Sequence, residues 1–166
     1  ISERKNMDKD KILIQMMTPD SFITAPTTEA LGRSYGFDPS DKGETSQFQT
    51  FEFSQEYLTD TAHQQLTGGT ACHTSLIAPV CGGKKFVANI PGIDFLPGSE
   101  TLIQGLELVG NVCGTAALQA QAIGFIQSGG NDIGLRTSSF PPGIQSLIDQ
   151  QVANLPVMLN LECPTF

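Results

Sequence analysis

Apolar positions recur at helical spacing through much of the last third of the chain, and in shorter runs before it. Leu102, Leu106, Val109 and Cys113 follow a start signal at Ser99 and Glu100. Gly105 and Gly110 interrupt that pattern, each costing about 1 kcal/mol in a helix interior, so a pair of strands stays open there. Residues 115–127 are richer in helix formers, with Leu118, Ala122, Phe125 and Ile126 on one side and Gly129-Gly130 as a stop. This stretch carries no charge, so both of its faces are expected to be covered. Residues 144–154 predict a further helix, with Ile144, Leu147, Ile148 and Val152 on one side, Pro141-Pro142 before it and Pro156 after it. Residues 157–161 then read as a terminal strand.

Upstream, Ile12, Leu13, Ile14, Met16 and Met17 form an apolar cluster that fits a strand or a short helix. Pro19, Pro26 and Pro39 punctuate an otherwise polar stretch, which predicts an extended arm or connection over 1–46. Phe48, Phe51 and Phe53 predict a strand over 47–53. Ser54 can cap a helix reaching Leu66, with Leu58, Ala62 and Leu66 on one face and Gly68-Gly69 at its end. Residues 74–80 and 84–90, joined by Cys81-Gly82-Gly83, read as a β-hairpin. Pro91 and Pro97 bracket a short extended piece, and no internal repeat is evident. The expected fold is α+β: a small, mostly antiparallel sheet with two or three helices packed on it, a domain over 47–166 and the arm before it.

Composition narrows the function more than the fold. Of 166 residues, 39% are hydrophobic and 16% charged, so uncharged polar residues and Gly fill the difference. That excludes a disordered acidic tail, a coiled coil and a collagen-like repeat. The net charge of −8 is unevenly spread. Beyond residue 46 the cations are Lys84, Lys85 and Arg136, too few to neutralise several phosphates on one face. No nucleic-acid partner is expected, nor electrostatic docking on anionic lipid. The chain starts at Ile1, and residues 1–11 alternate charges, so no signal peptide is expected within it. The uncharged window 108–131 has Gly110 and Gly114 at GxxxG spacing. A membrane span there would bury Asn111, Gln119, Gln121, Gln127 and Asn131, so a buried or interface helix is favoured.

Four cysteines, Cys72, Cys81, Cys113 and Cys163, fit two disulfides. Cys72 with Cys81 is the favoured pair, because Pro79 and Gly82-Gly83 let a short segment turn back. A zinc site from His63, Cys72, His73 and Cys81 is disfavoured, since the adjacent Cys72 and His73 would point to opposite faces of a strand. No metal or cofactor is expected. Gly82-Gly83-Lys84-Lys85 lacks the upstream Gly and the Ser or Thr of a phosphate loop. Asp38, Ser40 and Gly43 partly match a calcium loop, but Lys42 and Gln49 remove the charge it needs.

Asp60 and His63, three apart on the predicted helix, could orient an imidazole for general-base work, and His73 beside Cys72 is the other weak catalytic candidate. Glu52 and Glu56 are better explained by the positive start of that helix. No nucleophile elbow is present. The leading expectation is a non-enzymatic assembly or binding subunit of a periplasmic or extracellular complex, whose partners are other protein subunits. The alternatives are a small secreted hydrolase using His63 or His73, and a carrier of an apolar ligand lined by Phe48, Phe51, Phe86 and Phe125.

Overall fold

The computed structural model describes residues 9–41, 46–67, 71–90, 92–93, 99–134, 146 and 163. Among them lie two strands, β1 (Ile14–Thr18) and β2 (Phe48–Glu52), and four α-helices. The helices are α1 (Ala25–Ser34), α2 (Thr61–Thr67), α3 (Gly83–Ala88) and α4 (Ser99–Gln127). Short 3-10 turns over Lys9–Lys11, Gln55–Leu58 and Ala71–Thr74 complete the order.

The strands pair in parallel, Ile14 opposite Phe48 and Thr18 opposite Glu52, which overturns the expected antiparallel sheet. Parallel neighbours cannot be joined by a tight turn and need a crossover, and α1 sits in that connection. Both β1 and α1 come from the stretch read as an extended arm. The backbone groups of residues 14–18 find partners in β2, which ties this part of the segment to the sheet. Pro26 is compatible with α1 because it falls in the first turn, where its missing N–H costs nothing.

The expected hairpin does not form either. Residues 75–80 are turns and bends after a 3-10 turn, and residues 83–88 are helical. Gly82 lies at φ +117°, where it caps α3 instead of turning a hairpin. Ser54 does cap as expected, accepting from the Glu56 amide, but onto a 3-10 turn. A fresh start at Asp60, whose carboxylate accepts from the His63 amide, then launches α2. Ser146 is helical, but the rest of the expected helix over 144–154, the strand over 157–161 and the stops at Gly68-Gly69 and Pro97 lie outside the described residues.

In place of a helix followed by a second helix or strand pair, residues 99–127 form one continuous 29-residue helix. Packing outweighs the glycine penalty: Gly110 lies against Phe86 Cβ and Gly83 Cα, and Gly114 against the Cys81 carbonyl. The GxxxG spacing therefore lets α3 and the Cys81 turn approach α4 within this chain. Among the described residues, no helix is long and apolar enough to cross a membrane.

The core has two parts. Phe51, Phe53, Tyr57, Cys72, Val80, Cys81, Cys113, Ala117, Leu118 and Cys163 form the larger, while Phe86, Val87, Ile90, Ile93 and Leu106 form the smaller between α3 and α4. Uncharged polar side chains of α4 tie this core to its surroundings. The Thr115 hydroxyl donates to the carbonyls of Ser75 and Ala78 at 2.8 and 3.0 Å, and Gln119 to that of Leu76 at 2.9 Å. Gln15 of β1 donates to the Leu118 carbonyl and to Gln121, which is itself bonded to the Ile133 carbonyl. Amides and hydroxyls satisfy loop carbonyls without burying charge, which accounts for the low-charge composition.

Candidate functional site

Cys72 and Cys81 are joined in a disulfide with Cα atoms 5.4 Å apart, and Cys113 and Cys163 in another at 5.5 Å. The first is the pair favoured by the sequence. Alkylation of the unreduced protein followed by mass measurement should find no reactive thiol; four labelled cysteines would contradict this pairing.

The Cys72–Cys81 bond lies where three short segments meet: the 3-10 turn of Cys72, the entry to α3 at Cys81, and α2 carrying His63. His63 is 7% exposed, and its Nε2 lies 3.5 Å from Cys81 Sγ. Its ring stacks at 4.1 Å on that of Tyr57. The ligand atoms of His63, Cys72 and Cys81 all fall within 4.8 Å of one another. His73, although beside Cys72 in sequence, turns away to Asp20 Oδ2 at 2.9 Å and to the Phe22 ring.

Asp60 does not orient the His63 imidazole. One of its oxygens caps α2 and the other pairs with Lys84 Nζ at 3.0 Å. The amide of His63 and the Lys84 ammonium both hold the Asp60 carboxyl below the usual carboxylate range. Burial is the largest single influence on Lys84 and would lower its pKa, but the bond to Asp60 together with the negative charges of Asp60, Glu107 and Glu56 makes the net shift upward. Nearby Glu107 is raised by burial, only partly countered by Lys84. The pair is solvent-facing and acts as a clamp between α2 and α3, of modest worth.

Tyr57 performs the buried part of that clamping. Its hydroxyl oxygen accepts from the amides of Lys84 and Gly82 at 2.8 and 3.2 Å, while Asn111 accepts from the Gly83 amide at 2.8 Å. Three orphan amides at the start of α3 are thus satisfied by side chains from two other elements. Burial pushes the Tyr57 phenol up to about 12, although those amides pull the other way. A raised folded pKa means that the folded state holds its proton more tightly. This stabilisation is complete below pH 10 and is lost as the pH climbs towards 12. Tyr57→Phe should cost about 1–2 kcal/mol at neutral pH by stranding two amides, and should flatten the alkaline fall in stability. Urea unfolding across pH 8–12 reads both effects; an unchanged alkaline slope would count against the assignment.

The four phenylalanines proposed to line a ligand cavity, Phe48, Phe51, Phe86 and Phe125, are buried. Phe51 belongs to the larger core cluster and Phe86 to the smaller. A surface cleft lies elsewhere, between α1 and the following turn, lined by Glu29, Arg33, Phe37 and Asp38. The Ser40 hydroxyl lowers the Asp38 pKa and holds its carboxylate within that turn, a local role with no ion required.

Neither the role of Tyr57 nor the outward face of α4 is visible in the order of residues alone. Leu108, Ile123 and Ile126 are 60%, 52% and 75% exposed. At 100° per residue they fall within about 60° of one another, opposite the side that carries Leu106, Cys113 and Ala117. Thr115 and Gln119 share this side and bond the carbonyls of Ser75, Ala78 and Leu76, so Leu108 is set apart, about 22 Å along the helix from Ile123 and further from Ile126. No charged residue occurs between Leu108 and Gln127. The chain matches no family model, no curated protein and no solved structure.

Proposed function

We propose that the chain is a non-enzymatic binding or assembly subunit of an exported complex, periplasmic or extracellular, which docks on a partner protein through the outward face of α4. The observation that carries this reading is the exposed apolar stripe of Ile123 and Ile126 near the C-terminal end of α4, in a stretch of helix without charge. Such a stripe is what an amphipathic partner helix or a shallow apolar groove would cover. Two disulfides support an oxidising compartment. The partner surface is correspondingly apolar and sparsely charged, since residues 108–127 of the helix carry no charge to pair with one.

Ile123→Glu combined with Ile126→Glu tests this reading. Both positions are exposed, so stability should change by no more than about 0.5 kcal/mol per site. Co-migration with a partner in native extracts should be lost. A wild-type chain that migrates as a lone monomer, or a variant that still co-migrates, would contradict the proposal.

The hydrolase alternative keeps one supporting observation, the 2.9 Å contact of Asp20 with His73 Nδ1, which orients the imidazole. It also needs a hydroxyl near Nε2, whereas the described contacts of His73 are with Asp20 and the Phe22 ring.

A further inference from the structure

We infer that reduction of the Cys72–Cys81 disulfide converts it, together with His63, into a zinc-binding site. The three residues project from separate segments into one buried point, with Cys72 and Cys81 fully buried and His63 nearly so. Their ligand atoms lie within 4.8 Å of one another. Once the 2.03 Å sulfur–sulfur bond is broken, the two sulfurs need to separate to roughly 3.7 Å to share one tetrahedral ion with the imidazole, a movement within the reach of side-chain rotation. Two sulfurs and one imidazole form a donor set suited to Zn²⁺, with water as the fourth ligand.

Charge favours the metal once the bond is broken. Two thiolates and one divalent cation sum to zero, so the buried site holds the ion without a stranded charge. The chemistry balances with an external dithiol as reductant. The dithiol gives two electrons and two protons to the sulfur–sulfur bond and closes its own cyclic disulfide. Zn²⁺ then displaces both thiol protons to solvent. The Cys72 and Cys81 segments stay tied in either state, by a covalent bond when oxidised and by coordination when reduced, and the metal adds α2 through His63. The inference is independent of the docking role of α4.

The test uses the whole chain, oxidised and dithiol-reduced, titrated with Zn²⁺ or with Co²⁺ as its coloured substitute, and followed by cysteine alkylation with peptide mapping. The reduced chain should bind one ion with a thiolate-to-cobalt absorption band, and zinc should slow alkylation of Cys72 and Cys81, relative to the metal-free reduced chain, by far more than it slows that of the core-buried Cys113 and Cys163. His63→Ala should weaken binding at least about 10-fold, while His73→Ala, next to Cys72 but turned towards Asp20, should leave it unchanged. Circular dichroism of the same samples reports the fold. Equal protection of all four cysteines, a His63→Ala variant that binds as tightly as wild type, or a reduced chain that zinc leaves unfolded would each overturn the inference.

Discussion

Replacing Cys113 and Cys163 together by alanine lowers the free energy of unfolding by about 4 kcal/mol, against about 2.6 kcal/mol for Cys72 and Cys81, on the loop-closure relation. The difference follows from the separation of the partners, 50 residues against 9, because the longer loop loses more freedom in the unfolded chain. All four sulfurs lie in the larger core cluster, so the packing loss is similar for the two pairs and the loops decide the ranking. Cys113 is central to α4, and its bond brings Cys163 of the C-terminal segment against that helix. Denaturant unfolding followed by far-ultraviolet circular dichroism measures both variants. A larger loss for the Cys72–Cys81 pair would show that the short bridge, with its attendant His63 and Tyr57, organises the core instead.

Gly114→Ala should destabilise the protein by about 2 kcal/mol, whereas Gly105→Ala nine residues earlier should stabilise it by about 0.5–1 kcal/mol. Both exchanges gain helix propensity, about 1 kcal/mol, because alanine loses less freedom on folding. At Gly105 nothing lies within 4 Å of the added methyl, and the gain stands alone. At Gly114 the methyl would collide with the backbone carbonyl of Cys81 and press on the Phe53 ring at 3.1 Å. That carbonyl cannot swing aside, since Cys81 is bonded to Cys72 and its successor opens α3. Overpacking of about 1–3 kcal/mol or more therefore exceeds the propensity gain. Thermal unfolding of the two single variants should move in opposite directions, and a shift of the same sign would disprove the close-approach role of Gly114.

What could be read in advance was local chemistry, and what could not was the pairing of distant segments. Phe48, Phe51 and Phe53 marked β2, and the spacing of Cys72 and Cys81 with a turn-forming interval marked their bridge. The partner of β2 was hidden, because β1 belongs to a proline-punctuated stretch and a parallel pair leaves no hairpin signature. Pro26 looked like a helix breaker and is a first-turn residue of α1. Gly82-Gly83 looked like a hairpin turn because a β-turn and a helix cap ask for the same backbone freedom; the capping oxygens of Tyr57 and Asn111 sit far away in sequence. Gly105 and Gly110 suggested an interrupted α4, since the propensity penalty is visible in the sequence and the neighbour that rewards a missing side chain is not. His63 next to Cys81 was equally hidden, and only a packed core could select it over His73.

The most direct measurement places a photoactivatable crosslinking residue at position 126, and at Ser40 as a control, in cells that produce the chain. Position 126 should give one discrete protein adduct, captured in the exported fraction, lost in the Ile123→Glu variant, and missing from position 40. A chain that forms no adduct at 126, or the same adducts at both positions, would contradict a role for the outward face of α4 in holding a partner.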